Sequence, residues 1–129
     1  MTILRTPEER FDGLKDFDFE PNYFEVCHGE DKLRMHYLDE NSSSKEVVLL
    51  LHGEPSWCYL YRKIIPHLVE AGKRVIAPDL IGFGKSDKYV DMNNYTHEMH
   101  LFCLKHLMDA LELTENVTLV CQDWGGKAR

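Results

Sequence analysis

The chain has 129 residues, with 15 lysines and arginines against 22 aspartates and glutamates, and a formal net charge of −7 at pH 7. At about 150 residues per domain this length allows one domain at most, and 43% hydrophobic with 29% charged residues excludes a disordered or collagen-like chain. The negative charge argues against a nucleic acid or a membrane as a partner. The first twenty residues are acidic and lack an apolar centre, so a cytoplasmic protein without a signal peptide is expected.

Five strands are predicted along the chain. The first two, residues 22–27 and 33–38, alternate in polarity and are joined by a short polar connection at 28–32, which predicts an antiparallel hairpin with one face in solvent. The other three are continuous apolar runs, a pattern typical of strands that are buried on both faces. They comprise residues 47–51, 75–78 and 117–121.

Two helices are predicted between the buried strands. The first covers residues 56–71 and ends at Gly72, and Pro66 inside it indicates a kink or a later start. The second begins after Thr96, a suitable N-cap residue. Its apolar face comprises Met99, Phe102, Cys103, Leu107, Ala110 and Leu111. Alternating buried strands and helices predict an α/β fold with a parallel sheet.

Residues 120–126 place an acidic residue between small ones, directly after a predicted buried strand. A nucleophile elbow is a tight strand-to-helix turn with a strained central residue, and its neighbours two positions away must be small. Cys121, Gly125 and Gly126 meet that requirement around Asp123. A carboxylate is ionised at neutral pH and can attack without a base. The alternative is an aspartate that ends the strand and N-caps the next helix.

A second motif, HGEPSW at residues 52–57, follows the strand at 47–51. Gly53 lets the backbone turn so that the N–H of Glu54 can point at developing negative charge, and a cis peptide is expected before Pro55. His52 is interpreted as support for this loop, since the general base of elbow enzymes follows the nucleophile in chain order. The alternative is an ordinary Gly-Pro loop between a strand and a helix.

Two further patterns imitate binding motifs without meeting their spacing. The segment Gly84-Lys85-Ser86 ends like a phosphate-binding loop, but Asp79 stands where the pattern requires its first glycine. His97 and His100 are one residue too close for a zinc-protease helix and are expected on the surface or on a helix face. No cysteine pair has C-x-x-C spacing, so neither a zinc ribbon nor a dithiol redox site is predicted.

Taken together, three segments resemble the motifs of haloalkane dehalogenases, members of the α/β-hydrolase superfamily. They are HGEPSW (52–57), DLIGFGKSD (79–87) and QDWGG (122–126). The resemblance implies the N-terminal part of an α/β-hydrolase fold, a mostly parallel sheet with an antiparallel N-terminal hairpin. It makes Asp123 the nucleophile, and Trp124 the indole N–H donor to the leaving halide. The backbone N–H groups of Glu54 and Trp124 form the oxyanion hole, with Gly125 and Gly126 completing the elbow.

The resemblance also implies a reaction and a larger protein. A small haloalkane and water would give an alcohol and halide through an aspartyl ester, with no metal or organic cofactor. Family members are about twice as long, so residues 1–129 are interpreted as a partial core domain that stops just after the elbow, without the cap. Two alternatives remain. One is an epoxide hydrolase, which Gln122 and Glu54 disfavour, and the other is a non-catalytic binding protein.

Overall fold

The computed structural model describes residues 2–122. Seven strands and two α-helices lie within that range, together with short 3-10 helices at Glu8–Phe11, Cys58–Tyr61 and Met92–Asn94. The strands are β1 (Ile3–Leu4), β2 (Asn22–His28), β3 (Asp31–Glu40), β4 (Val47–Leu51), β5 (Arg74–Pro78), β6 (Lys88–Tyr89) and β7 (Val117–Cys121). The helices are α1 (Ile64–Glu70) and α2 (His97–Ala110).

The main sheet has five strands in the order β2-β3-β5-β4-β7. β2 pairs antiparallel with β3, and β3 pairs antiparallel with β5, whereas β5, β4 and β7 are parallel to one another. This arrangement confirms the predicted α/β class, the antiparallel hairpin and the three parallel strands. A separate pair, β1 with β6, was not predicted because two-residue strands are too short to show a periodic pattern.

The hairpin is longer than its sequence pattern indicated. His28 pairs with Asp31 and Cys27 with Lys32, so only two residues are left in the turn. The first of them, Gly29, has a φ of +65°, a conformation that glycine adopts without strain. The predicted connection at 28–32 was too wide because polar residues on a solvent-facing ladder can pair as well as apolar ones.

The helix α1 has the later start that Pro66 indicated. It begins at Ile64 rather than at 56, and the preceding segment forms a 3-10 helix instead. Pro66 therefore lies in the first turn, where its missing N–H would have had no partner within the helix. Gly72, with a φ of +86°, ends the helix as predicted, and its N–H donates to the carbonyl of Val69 at 2.9 Å.

The helix α2 begins as predicted, because the Thr96 hydroxyl accepts a hydrogen bond from the Met99 N–H at 3.0 Å. Its buried face differs in part from the apolar pattern. Ala110 is exposed, whereas His100 and Leu104 are buried. The full buried set is Met99, His100, Cys103, Leu104 and Leu107. The His100 ring therefore lies in the interior, which the spacing of apolar residues could not indicate.

The core lies on both faces of the sheet. Val48 and Leu50 of β4 pack with Ile65 of α1, whereas Leu49 and Leu51 pack with Leu104 of α2. Successive side chains of a strand point to opposite faces, so a strand covered by a helix on each side must be apolar throughout. None of the helices within residues 2–122 is both long and apolar enough to cross a membrane.

Candidate active site

The carboxyl ends of β4 and β7 lie side by side. Leu51 pairs with Cys121 in the parallel ladder, and the N–H of Gln122 donates to the Leu51 carbonyl at 3.3 Å. This confirms that the two motif-bearing segments leave the sheet at adjacent strand ends, where α/β proteins bind their ligands. The predicted elbow residues, Asp123, Trp124, Gly125 and Gly126, lie outside the described residues, and so does the positive φ expected of Asp123.

His52 is fully buried and has a hydrogen bond at each ring nitrogen. Its Nε2 accepts from the N–H of Leu80 at 2.9 Å, and its Nδ1 lies 2.8 Å from the carbonyl oxygen of Gly53. Because Nε2 is an acceptor, the ring proton is on Nδ1 and donates to that carbonyl. Burial lowers the pKa of His52, which keeps the ring neutral. Both nitrogens are occupied, so His52 supports the loop as predicted.

The loop after His52 carries the predicted oxyanion donor. Glu54 is exposed, and the Glu54–Pro55 peptide is cis, as expected from the sequence. Farther along, the N–H of Cys58 donates to Oδ1 of Asp79 at 2.7 Å. The loop is therefore held at both ends by consecutive residues after β5, by Leu80 at its start and by Asp79 at its end.

A cavity of about 360 Å³ opens beside Glu54. Its lining is mostly aromatic and apolar, and comprises Glu54, Gly82, Phe83, Met92, Tyr95 and His100. His97 is exposed as expected, but His100 is 4% exposed and stacks on Tyr95 at 6.3 Å between ring centroids. Burial, with smaller contributions from His52 and His97, lowers the pKa of His100 to about 4. The cavity wall is thus uncharged at this position at neutral pH.

Asp79 forms a buried hydrogen-bonding cluster that the sequence analysis missed. Its carboxylate accepts from the N–H of Cys58 at 2.7 Å, the N–H of Lys85 at 2.9 Å and Nδ1 of His36 at 2.8 Å. Burial alone would raise the pKa of Asp79, but the hydrogen bond from His36 and those from the two backbone N–H groups lower it. The Ser86 hydroxyl donates to the Asp79 carbonyl at 2.6 Å and extends the cluster.

Three members of this cluster have side chains of the metal-binding types. The potential ligand atoms of His36, Cys58 and Asp79 lie within 4.8 Å of one another. Burial, followed by the negative charge of Asp79, raises the pKa of the Cys58 thiol, which disfavours the thiolate that a metal requires. The oxygens of Asp79 already accept three hydrogen bonds, and an ion would have to displace them. These residues therefore suit a structural role.

The residues before β2 contact the loops that follow β4 and β5. The Arg5 guanidinium donates to both oxygens of Asp87 at 2.7 and 2.9 Å. Phe11 and Phe17 pack against Trp57 with ring centroids 5.3 and 5.2 Å apart. Residues at the beginning of the chain thus cover the segments that follow β4 and β5.

Comparison with known proteins places this architecture in a family. The family model described as alpha/beta hydrolase fold matches residues 46–128, which include the ends of β4 and β7 and the segment beyond them. The chain belongs to the α/β-hydrolase family. Within this family, the chain is 57% identical over 127 residues to a haloalkane dehalogenase of Psychrobacter cryohalolentis and 47% identical over 126 residues to one of Mycolicibacterium paratuberculosis. These alignments cover 98% and 97% of the chain.

Two solved structures are also similar to this chain. The haloalkane dehalogenase DpaA of Paraglaciecola agarilytica NO2 superposes with a TM-score of 0.91 at 50% identity over 98% of the chain. An epoxide hydrolase of Vigna radiata superposes with a TM-score of 0.69 at 31% identity over 84% of the chain. The chain spans 42% of the length of both curated relatives and of the DpaA chain, and 34% of the epoxide hydrolase.

The segment at residues 79–87 was interpreted by its resemblance to a family motif and by the exclusion of a phosphate-binding loop, and no helix begins at Lys85 in the structure. Its sequence did not reveal that Asp79 and Asp87 are buried carboxylates with several donors each. Two aspartates in an otherwise apolar and glycine-containing stretch after a buried strand were the available signal, but their partners are far away in the chain.

Proposed function

We propose that this chain forms the N-terminal part of a haloalkane dehalogenase. The observation that carries the proposal is the 57% identity to the Psychrobacter haloalkane dehalogenase over 98% of the chain. The similarity to the solved dehalogenase, at 50% identity, also exceeds that to the epoxide hydrolase, at 31%. The adjacent ends of β4 and β7 support the proposal, since the predicted oxyanion donor and the predicted nucleophile follow these two strands in the sequence.

The proposed reaction has two steps. In the first, a carboxylate oxygen of Asp123 attacks the carbon that bears the halogen, in line with the carbon–halogen bond. The carbon–oxygen bond of an alkyl ester forms and halide leaves with the bonding electrons. Trp124 suits the halide because an indole N–H donates a hydrogen bond and offers no acceptor. A carbon without a carbonyl group has nothing to polarise, so displacement is the available route.

In the second step, water attacks the carbonyl carbon of the ester and gives the alcohol and the free carboxylate. A general base must take the proton of that water, and no histidine follows Asp123 within the 129 residues. We propose that the base and the cap belong to a further part of the enzyme. The N–H groups of Glu54 and Trp124 would stabilise the oxyanion of this step. Neither step uses a metal or an organic cofactor.

The test supplies the rest of the fold from a relative. The chain is joined to the part of the Psychrobacter dehalogenase that continues beyond the aligned segment, and this protein is called the fusion protein below. We expect it to release bromide from a dibromoalkane over many turnovers. Its Asp123→Asn variant should release none, because the amide is a far weaker nucleophile.

Asp109→Asn is the matched control, because Asp109 is an exposed carboxylate on α2. It should leave bromide release unchanged. The 129-residue chain alone should give no sustained release, since it contains no base after the nucleophile. A well-folded fusion protein that is inactive, or an Asp123→Asn variant as active as the parent, would refute the proposed function.

A further inference from the structure

The peptide unit between Gly53 and Glu54 links a histidine to the proposed oxyanion donor. Its carbonyl oxygen, on Gly53, accepts the hydrogen bond from Nδ1 of His52 at 2.8 Å. Its N–H belongs to Glu54. A trans peptide is planar, with the C=O and N–H pointing in opposite directions, and the cis bond of this loop is the following one. A group that fixes the carbonyl therefore also fixes the direction of the N–H.

We propose that His52 is a positioning residue that aims the Glu54 N–H at the oxyanion of ester hydrolysis. It does so by holding the opposite end of the same peptide plane. This inference rests on the proposed function and adds a role that neither the motif nor the similarity to relatives assigns.

His52 is itself held in the orientation that this role requires. Its Nε2 accepts from the N–H of Leu80 at 2.9 Å, which places the proton on Nδ1 and directs it to the Gly53 carbonyl. The ring is fully buried and packs edge-on against Phe83, with centroids 5.3 Å apart. The Leu80 N–H belongs to the buried segment just after β5, so the orientation of the His52 ring is set by a neighbouring part of the core.

The two steps of the reaction respond differently to this peptide. During ester formation the negative charge moves from the carboxylate to the departing halide, and no carbonyl oxygen becomes an oxyanion. During hydrolysis the attacked ester carbonyl becomes an oxyanion, and the Glu54 N–H is a donor to it. A change at His52 should therefore slow hydrolysis and leave ester formation nearly unchanged, so that alkyl-enzyme accumulates.

Two variants of the fusion protein separate the two hydrogen bonds of His52. His52→Asn keeps an amide nitrogen at the position of Nδ1, which can donate to Gly53, but it loses the acceptor for Leu80. His52→Gln keeps a polar atom near the position of Nε2, which can accept from Leu80, but it loses the donor to Gly53. His106→Asn is the matched control, because the exposed His106 makes a similar Nδ1 contact, 2.9 Å from a backbone carbonyl of α2.

Rapid-quench measurements give the first-turnover bromide burst and the hydrolysis rate, and mass spectrometry detects the ester on Asp123. His52→Gln should hydrolyse the ester up to about 10²-fold more slowly, the lower end of the loss when one oxyanion donor is removed, with its burst retained and the ester visible. His52→Asn should hydrolyse the ester faster than His52→Gln. It should nevertheless be the less stable of the two, because it leaves the buried N–H of Leu80 without an acceptor. His106→Asn should match the parent in both steps.

The two His52 variants should rank in opposite orders for stability and for the rate of ester hydrolysis, a result that a purely structural role of His52 would not produce. Equal losses in both steps, or hydrolysis rates that follow thermal stability, would overturn the inference. If His52→Gln does not fold, an ester that accumulates on His52→Asn overturns it, because that variant retains the Gly53 donor. A parent fusion protein that releases no bromide would instead refute the proposed function.

Discussion

Replacing Asp79 should destabilise the protein more than replacing any exposed carboxylate. Alanine at this position leaves three donors without their acceptor: the buried Cys58 N–H, the buried Nδ1 of His36 and the partly buried Lys85 N–H. An unsatisfied buried donor costs about 1–3 kcal/mol. We expect Asp79→Ala to lower the free energy of unfolding by about 4 kcal/mol.

Asparagine separates the hydrogen bonds from the volume of the side chain. It keeps one acceptor oxygen, which can face Cys58, and its amide can donate to His36 if that ring changes tautomer. The N–H of Lys85 then remains unsatisfied, so Asp79→Asn should cost about 2 kcal/mol, roughly half the cost of alanine.

Urea denaturation of the fusion protein, followed by circular dichroism, measures these differences. Asp109→Asn, at an exposed position, should change the free energy of unfolding by less than about 0.5 kcal/mol. If Asp79→Ala costs no more than this control, Asp79 does not connect the loops after β4 and β5, and the assignment of the cluster is wrong.

Two further predictions concern the same loop. Gly84→Ala should destabilise the fusion protein by about 2 kcal/mol or more, because Gly84 has a φ of +54° and a Cβ there would lie 2.4 Å from Oδ2 of Asp79. The control is Gly29→Ala, at a φ of +65° with nothing within 4 Å of the added Cβ, which should cost only about 1 kcal/mol. Equal losses of the two variants in urea denaturation would contradict this prediction. Burial by itself would raise the pKa of Asp87, but the Arg5 guanidinium and the Arg34 N–H lower it below its ordinary value. The stability that this carboxylate contributes is therefore present above about pH 4, and it is lost as the pH falls through the pKa of the folded state. Arg5→Gln should therefore lower the free energy of unfolding by up to about 1 kcal/mol at pH 6, and the difference from the parent should shrink towards pH 3; a pH-independent difference would show that the ion pair is not its cause.

The sequence by itself determined the elements whose causes are local. The apolar run of β4 indicated burial on both faces, Thr96 indicated the start of α2, and Gly72 indicated the end of α1. The motifs at residues 52–57 and 120–126 predicted that two segments lie close together, and the register of Leu51 with Cys121 confirms that the strands before them end side by side. Each of these inferences depends on a residue and its immediate neighbours in the chain.

Only the tertiary structure decided which polar groups meet. Asp79 is 43 residues from His36 and 21 from Cys58 along the chain, and His52 is 28 residues from Leu80. A hydrogen bond is specific to the distance and direction of its two groups, and no periodicity encodes a partner so far away. His100 was expected on the surface or on a helix face, and the structure buries it. Its environment depends on how α2 packs on the sheet, which the local sequence does not determine. Apolar patterns determine which faces are buried, whereas the packing of distant loops determines how the buried polar groups are satisfied.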